Sequence, residues 1–181
     1  MCFFDKLEVF KSKVAVIDEN SKYYTYGELI SFADKIGKLV GKRKTIFLIC
    51  ENSFEFLSCY VGLIRVKSVI FLIDGSLHAE KFSQLLENYQ PNYILTTKKL
   101  NFLSNFIIDC FPVNKRFYLF LTKFKINKSI DKDLAILIST SGTTGSPKFV
   151  KLSYLNLSDN SKKISDYLKI KSTHRAITTL Q

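Results

Sequence analysis

The sequence has 181 residues, 46% of them hydrophobic, and a formal net charge of +11 from 27 Lys and Arg against 16 Asp and Glu. That apolar content excludes a disordered chain, and the length suits one α/β domain with a real core but not two. The positive charge forms no basic arm: it falls in small groups such as Lys42-Arg43-Lys44, Lys98-Lys99 and Lys162-Lys163, the pattern of solvated faces, so no dedicated nucleic-acid surface is expected.

The first ten residues carry Asp5, Lys6 and Glu8 within their apolar stretch, which spoils a signal-peptide core, and no apolar run reaches the length of a membrane span. The chain is expected to be cytoplasmic, which makes the sequons at Asn127 and Asn156 chance matches. Val14 to Asp18 and Tyr23-Tyr24 flank a polar stretch and predict a short hairpin. Thr25-Tyr-Gly-Glu28 fits a capping box, and Leu29, Ala33, Ile36 and Leu39-Val40 follow at helical spacing. Thr45 to Cys50 is too short and too uniformly apolar for a surface helix and predicts a strand covered on both faces.

Asn52-Ser-Phe-Glu55 resembles a second capping signal, opening a helix with Phe56-Leu57, Tyr60-Val61 and Ile64 on one side. Ser68 to Asp74 then predicts a strand, Ala79 to Tyr89 a helix ended by Pro91, and Tyr93 to Thr96 a strand. This alternation implies βαβ units joined by right-handed crossovers, hence an α/β fold with a mainly parallel sheet and flanking helices. Further on, a helix is expected around Phe102 to Ile108 and strands at Phe117 to Leu121 and Leu134 to Ile138. A short strand at Phe149 to Leu152, a helix around Leu157 to Leu168 and an apolar run at Ala176 to Leu180 complete the chain.

Cys2, Cys50, Cys59 and Cys110 show no CxxC spacing and no nearby His, so reduced, mostly buried thiols are expected. His78 and His174 lack partners at metal spacing, and Asp131 and Asp133 read as a solvated turn. No metal site and no catalytic residue is assigned to the chain.

Residues 139 to 148 read Ser-Thr-Ser-Gly-Thr-Thr-Gly-Ser-Pro-Lys, directly after a predicted buried strand. Gly142 and Gly145 permit close backbone approach, hydroxyls and amides between them can face phosphate oxygens, and Lys148 adds a point charge. The spacing is not that of a Walker A loop, and composition alone leaves open both an anion cradle and an ordinary Ser/Thr/Gly turn.

The string Thr140 to Lys148 resembles the signature loop T-S-G-[ST]-T-G-x-P-K of adenylate-forming enzymes, the family of acyl-CoA synthetases, luciferases and peptide-synthetase adenylation domains, without a gap. Tyr24-Thr-Tyr-Gly-Glu-Leu29 is similar to the family's "tYxEL" helix start, and Glu51 to Leu57 to its "pNsxefl" segment. Pro91 to Thr96 matches the strand that follows, while Val69 to Asp74 lacks the proline usual in "vyvPLdp". Lys151-Leu-Ser153 and Asn156-Leu157 resemble "vxlSHxNL", with Tyr154 where His is common. Phe149 stands where the family usually has Gly after the loop lysine.

The resemblance implies activation of a carboxylic acid with ATP and magnesium to an acyl-adenylate, then transfer to a thiol of coenzyme A or a carrier protein. Thr140, Ser141, Thr143 and Thr144 would supply hydroxyl contacts, Gly142 and Gly145 backbone approach, and Lys148 charge. The family's adenine segment, magnesium-binding acid, ribose Asp and catalytic Lys have no counterpart in residues 1–181. By this resemblance the chain is an incomplete N-terminal AMP-binding domain without the mobile C-terminal lid, and is not expected to complete adenylation alone. A second reading makes it a non-catalytic remnant or interaction module that pairs with a partner chain.

Overall fold

The computed structural model describes residues 4, 6–98, 100–125, 130–139 and 149–178. Strands β1 (Val14–Ile17) and β2 (Tyr23–Thr25) form the expected antiparallel hairpin. Helix α1 (Tyr26–Val40) then starts on a complete capping box: the Thr25 amide donates to Glu28 at 2.7 Å and the Glu28 amide to the Thr25 hydroxyl at 3.2 Å. Two orphan donors of the first turn are thereby satisfied by local sequence alone. Gly41, at φ +76°, ends the helix. Leu29, Ala33, Ile36 and Val40 are buried as expected, whereas Leu39 faces solvent.

A seven-stranded sheet follows, built from β3 (Thr45–Ile49), β4 (Val69–Ile73), β5 (Tyr93–Thr96), β6 (Ile107–Pro112), β7 (Tyr118–Thr122), β8 (Leu134–Ser139) and β9 (Phe149–Ser153). Its order is β6-β7-β5-β3-β4-β8-β9. The central strands β5, β3, β4 and β8 are parallel, and antiparallel pairs flank them on both sides. Helix α2 (Phe54–Arg65) carries the chain from β3 to its neighbour β4, while α3 (Ala79–Tyr89) returns past β3 to β5. Because the two crossovers run in opposite directions, right-handedness places their helices on opposite faces.

The strand period of two sorts the core accordingly. Ile46, Leu48, Ile70 and Leu95 pack with Ile36 and Val40 of α1 and Cys59, Leu63 and Ile64 of α2. Phe47, Ile49, Phe71, Ile73 and Ile94 pack on the other face with Phe82, Leu85 and Leu86 of α3. Each such fully buried side chain contributes roughly 1.5–3 kcal/mol.

Four expectations need correction. The cap of α2 is Ser53, whose hydroxyl accepts from the Phe56 amide at 3.1 Å, and the shifted start buries Phe54, Ser58 and Cys59 while Leu57 faces outward. No helix spans Phe102 to Ile108: a single 3-10 turn, Asn101–Leu103, leads into β6, whose partner β7 supplies the hydrogen bonds a local helix would have made. Helix α4 (Tyr154–Tyr167) begins three residues before Leu157, because Ser153 and Asn156 form a second capping box. Residues 176–178 of the apolar run lie in neither helix nor strand, and its last residues lie outside the described residues. Of the three cysteines described, only Cys59 is buried; Cys50 is half-buried and Cys110 exposed on β6.

Candidate functional site

β8 sits between β4, parallel at Ile70↔Ile136 to Leu72↔Ile138, and β9, antiparallel from Leu134↔Ser153 to Ser139↔Phe149. Ala135, Ile136 and Leu137 are buried, so this strand is held on both sides and both faces. Ile49, Ile73, Thr96 and Ser139 end four parallel strands at one edge of the sheet, the carboxyl edge where open α/β sheets place their ligand sites. The candidate residues Thr140, Ser141, Gly142, Thr143, Thr144, Gly145 and Lys148 lie outside the described residues. Their two flanking positions do not: Ser139 and Phe149 are register partners, so the segment leaves the carboxyl end of β8 and returns opposite the same point.

The return is anchored by an aromatic cluster. The Phe149 ring meets Phe71 edge-on at 5.5 Å and Tyr89 at 4.9 Å, and those two rings are 5.3 Å apart. At the far end of β9 the Ser153 hydroxyl accepts from the Asn156 amide at 3.0 Å, and the Tyr154 hydroxyl donates to the Ser68 carbonyl oxygen at 3.1 Å. Both aromatic positions depart from the family motif, and their contacts are with residues far away in sequence.

Beside Ser139, the other carboxyl ends are tied together by side chains that sequence reasoning did not single out as a group. Glu51 accepts from the Ser53 hydroxyl at 2.6 Å and from the Thr97 hydroxyl at 2.8 Å, bridging the segments after β3 and β5. Lys98 donates to the Gly75 carbonyl oxygen after β4. The Asp74 carboxylate accepts from the Ser76 amide and hydroxyl, both at 2.8 Å, and these bonds, with nearby Lys98, hold it below its ordinary range. Burial, then the Asp74 charge, pushes the Cys50 thiol up. The convergence of these three loops was not legible in sequence.

The remaining candidates lie elsewhere. His78 precedes α3 as its cap residue, and His174 accepts from the Lys171 amide at 3.3 Å on the surface. Asp131 accepts from the Asp133 amide at 2.9 Å in an exposed turn, as expected. Among the described residues no three His, Cys, Asp or Glu side chains converge on a metal position, and no helix is long and apolar enough to cross a membrane.

The AMP-binding enzyme family model matches residues 3–181. The chain belongs to that family. Gramicidin S synthase 2 of Brevibacillus brevis is 25% identical over 164 residues, 86% of this chain but 4% of that protein. D-alanine–D-alanyl carrier protein ligase of Staphylococcus aureus is 25% identical over 138 residues, 74% of this chain and 27% of that one. The chain therefore spans about a quarter or less of the length of these AMP-binding relatives. Among solved structures, the O-succinylbenzoate coenzyme A synthetase MenE of Bacillus subtilis with its acyl-adenylate intermediate superposes with a TM-score of 0.71. It is 18% identical, and the match covers 95% of this chain and 47% of MenE. ATP-bound MatB of Rhodopseudomonas palustris gives a TM-score of 0.65 at 18% identity over 92% and 37% of the two chains. At such identities the shared property is the fold, here the mixed sheet with its parallel centre and flanking helices.

Proposed function

We propose that this AMP-binding chain supplies the nucleotide-phosphate hairpin of an adenylate-forming ligase. In this reading the 140–148 segment holds the β- and γ-phosphates of ATP. A substrate carboxylate oxygen then bonds the α-phosphorus as the bond to the bridging oxygen breaks, giving acyl-adenylate and pyrophosphate. Thr140, Ser141, Thr143 and Thr144 contribute hydroxyls, Gly142 and Gly145 close backbone approach, and Lys148 charge. Fixed donors of this kind lower the barrier by positioning and charge neutralisation. The observation that carries the reading is the ungapped motif lying between the register partners Ser139 and Phe149 at the carboxyl edge of the parallel strands.

Magnesium would accompany the nucleotide phosphates, as magnesium does at such sites, and no three His, Cys, Asp or Glu side chains among the described residues converge to hold it. The acceptor is a thiol of coenzyme A or of a carrier protein, the two kinds of partner named for MenE and for the Staphylococcus aureus ligase. The setting is cytoplasmic, where both ATP and such thiols occur. In this reading residues 1–181 form one AMP-binding unit that binds the nucleotide phosphates.

Calorimetry with ATP and magnesium tests it. Binding by the wild type that Lys148→Ala and Gly142→Val both weaken supports the reading, and a folded wild type that does not bind overturns it.

A second reading, an association module, is favoured by one observation. α4 buries no residue completely and leaves Leu155 68% and Tyr167 86% exposed beside β9, which among the described residues pairs only with β8. An open strand edge next to exposed apolar side chains favours association. Sizing that shows a monomer at all concentrations counts against it.

A further inference from the structure

The two departures from the family motif on either side of β9 fall on opposite faces of the sheet, and both reach past β8 to β4. Phe149 does so on the α3 face, through the edge-on ring contact with Phe71 in the middle of β4. Tyr154 does so on the face covered by α1 and α2, where it packs against the core and its hydroxyl donates to the carbonyl of buried Ser68, immediately before β4. Among the described residues β9 is an edge strand whose backbone ladder runs to β8 alone. Besides these side chains, its position rests on that ladder and on Leu152, which packs against the core, and a glycine at 149 would add backbone freedom at the exit of the segment.

We infer that Phe149 and Tyr154 are positioning residues that clamp β9 to β4 from both faces, fixing the place where the 140–148 segment rejoins the sheet. This rests on the phosphate-hairpin reading for its functional consequence, though not for its structural one. The edge-on geometry around Phe149 is the arrangement aromatic quadrupoles favour, and Tyr89 completes the three-ring contact from α3. The clamp therefore links β9 to β4 and to the helix that follows β4.

The test uses the 181-residue chain with Phe149→Gly, Phe149→Leu, Phe149→Tyr and Tyr154→Phe, reading ATP affinity by calorimetry and amide hydrogen exchange by residue. Phe149→Gly is expected to weaken ATP binding roughly tenfold and Phe149→Leu less, with Phe149→Tyr close to wild type. The amides of Val150 and Leu152 should exchange faster in the weakened variants while Phe47 and Leu48 of β3 stay protected. A purely structural role would instead speed exchange in β3 and β9 together. Tyr154→Phe, which removes the hydroxyl that donates to Ser68, should speed exchange in β9 to a smaller extent. Wild-type affinity and wild-type exchange at Leu152 in Phe149→Gly or Phe149→Leu would overturn the inference. If the wild type itself binds no ATP, the hairpin reading falls, and the exchange comparison alone decides the clamp.

Discussion

The Arg43 guanidinium donates to the carbonyl oxygen of Leu134, the first residue of β8, at 3.0 Å across 91 positions of sequence. The same group donates to the carbonyl oxygens of Lys67, at 2.8 Å, and of Asp131, so one side chain joins the segments that precede β3, β4 and β8. Arg43→Ala should destabilise the chain by about 1–3 kcal/mol, since carbonyls are left without a charged donor. Arg43→Lys should recover only part of it, because an ammonium cannot span the fork. Urea denaturation of the three proteins checks both.

Gly62 on α2 lies against the backbone of α1. A Cβ there would meet the Ala33 carbonyl oxygen and come within 2.9 Å of its carbonyl carbon, with no flexible side chain to yield. Gly62→Ala is therefore expected to push the helices apart and destabilise by about 1–3 kcal/mol, despite the better helix propensity of Ala. Thermal melts should show a lower midpoint; an unchanged one would mean the helices shift without penalty.

The described cysteines should separate by reactivity. Burial, followed by the charges of Glu55 and Glu51, pushes the Cys59 thiol far up, while Cys110 is exposed, its thiol raised by desolvation and then by Asp109. The thiolate is the reactive form, so alkylation of the native chain at mildly alkaline pH should modify Cys110 and spare Cys59 until denaturant is added. Peptide mapping reads the order.

Acid should weaken the fold through Asp74 and Glu28. Both carboxyls are held below their ordinary values of 3.8 and 4.5, Asp74 by the Ser76 amide and hydroxyl and Glu28 by the Thr25 amide and hydroxyl. A depressed folded pKa gives stability that is fully present above the unfolded value and is lost as pH falls through the folded one. Stability should thus be flat above about pH 5 and decline below about pH 4. Asp74→Asn and Glu28→Gln should each make that decline shallower in a pH series of urea melts.

Where a structure is held by neighbours in sequence, the residues already announced it. The Thr25–Glu28 capping box closes on itself within four positions, Ala79 to Tyr89 carries its own helical stripe, and the short apolar runs at β3 and β4 leave no polar face. The family loop is equally local, an unbroken string of hydroxyl, glycine and lysine residues from 140 to 148. Where the deciding contact is remote, sequence was silent or misled. Residues 102–108 have helical spacing, yet Ile107 and its successors pair with β7 because the antiparallel neighbour satisfies their backbone groups.

The linear sequence by itself thus determined which segments are strands and helices around the parallel centre, and which motif marks the family, because capping bonds and hydrophobic period act over a few residues. Tertiary structure alone decided that Arg43 gathers three loops, that Glu51 joins Thr97, and that Phe149 and Tyr154 reach β4 from opposite faces. Those contacts exist only once right-handed crossovers have set the strand order, which brings together side chains that no local pattern relates.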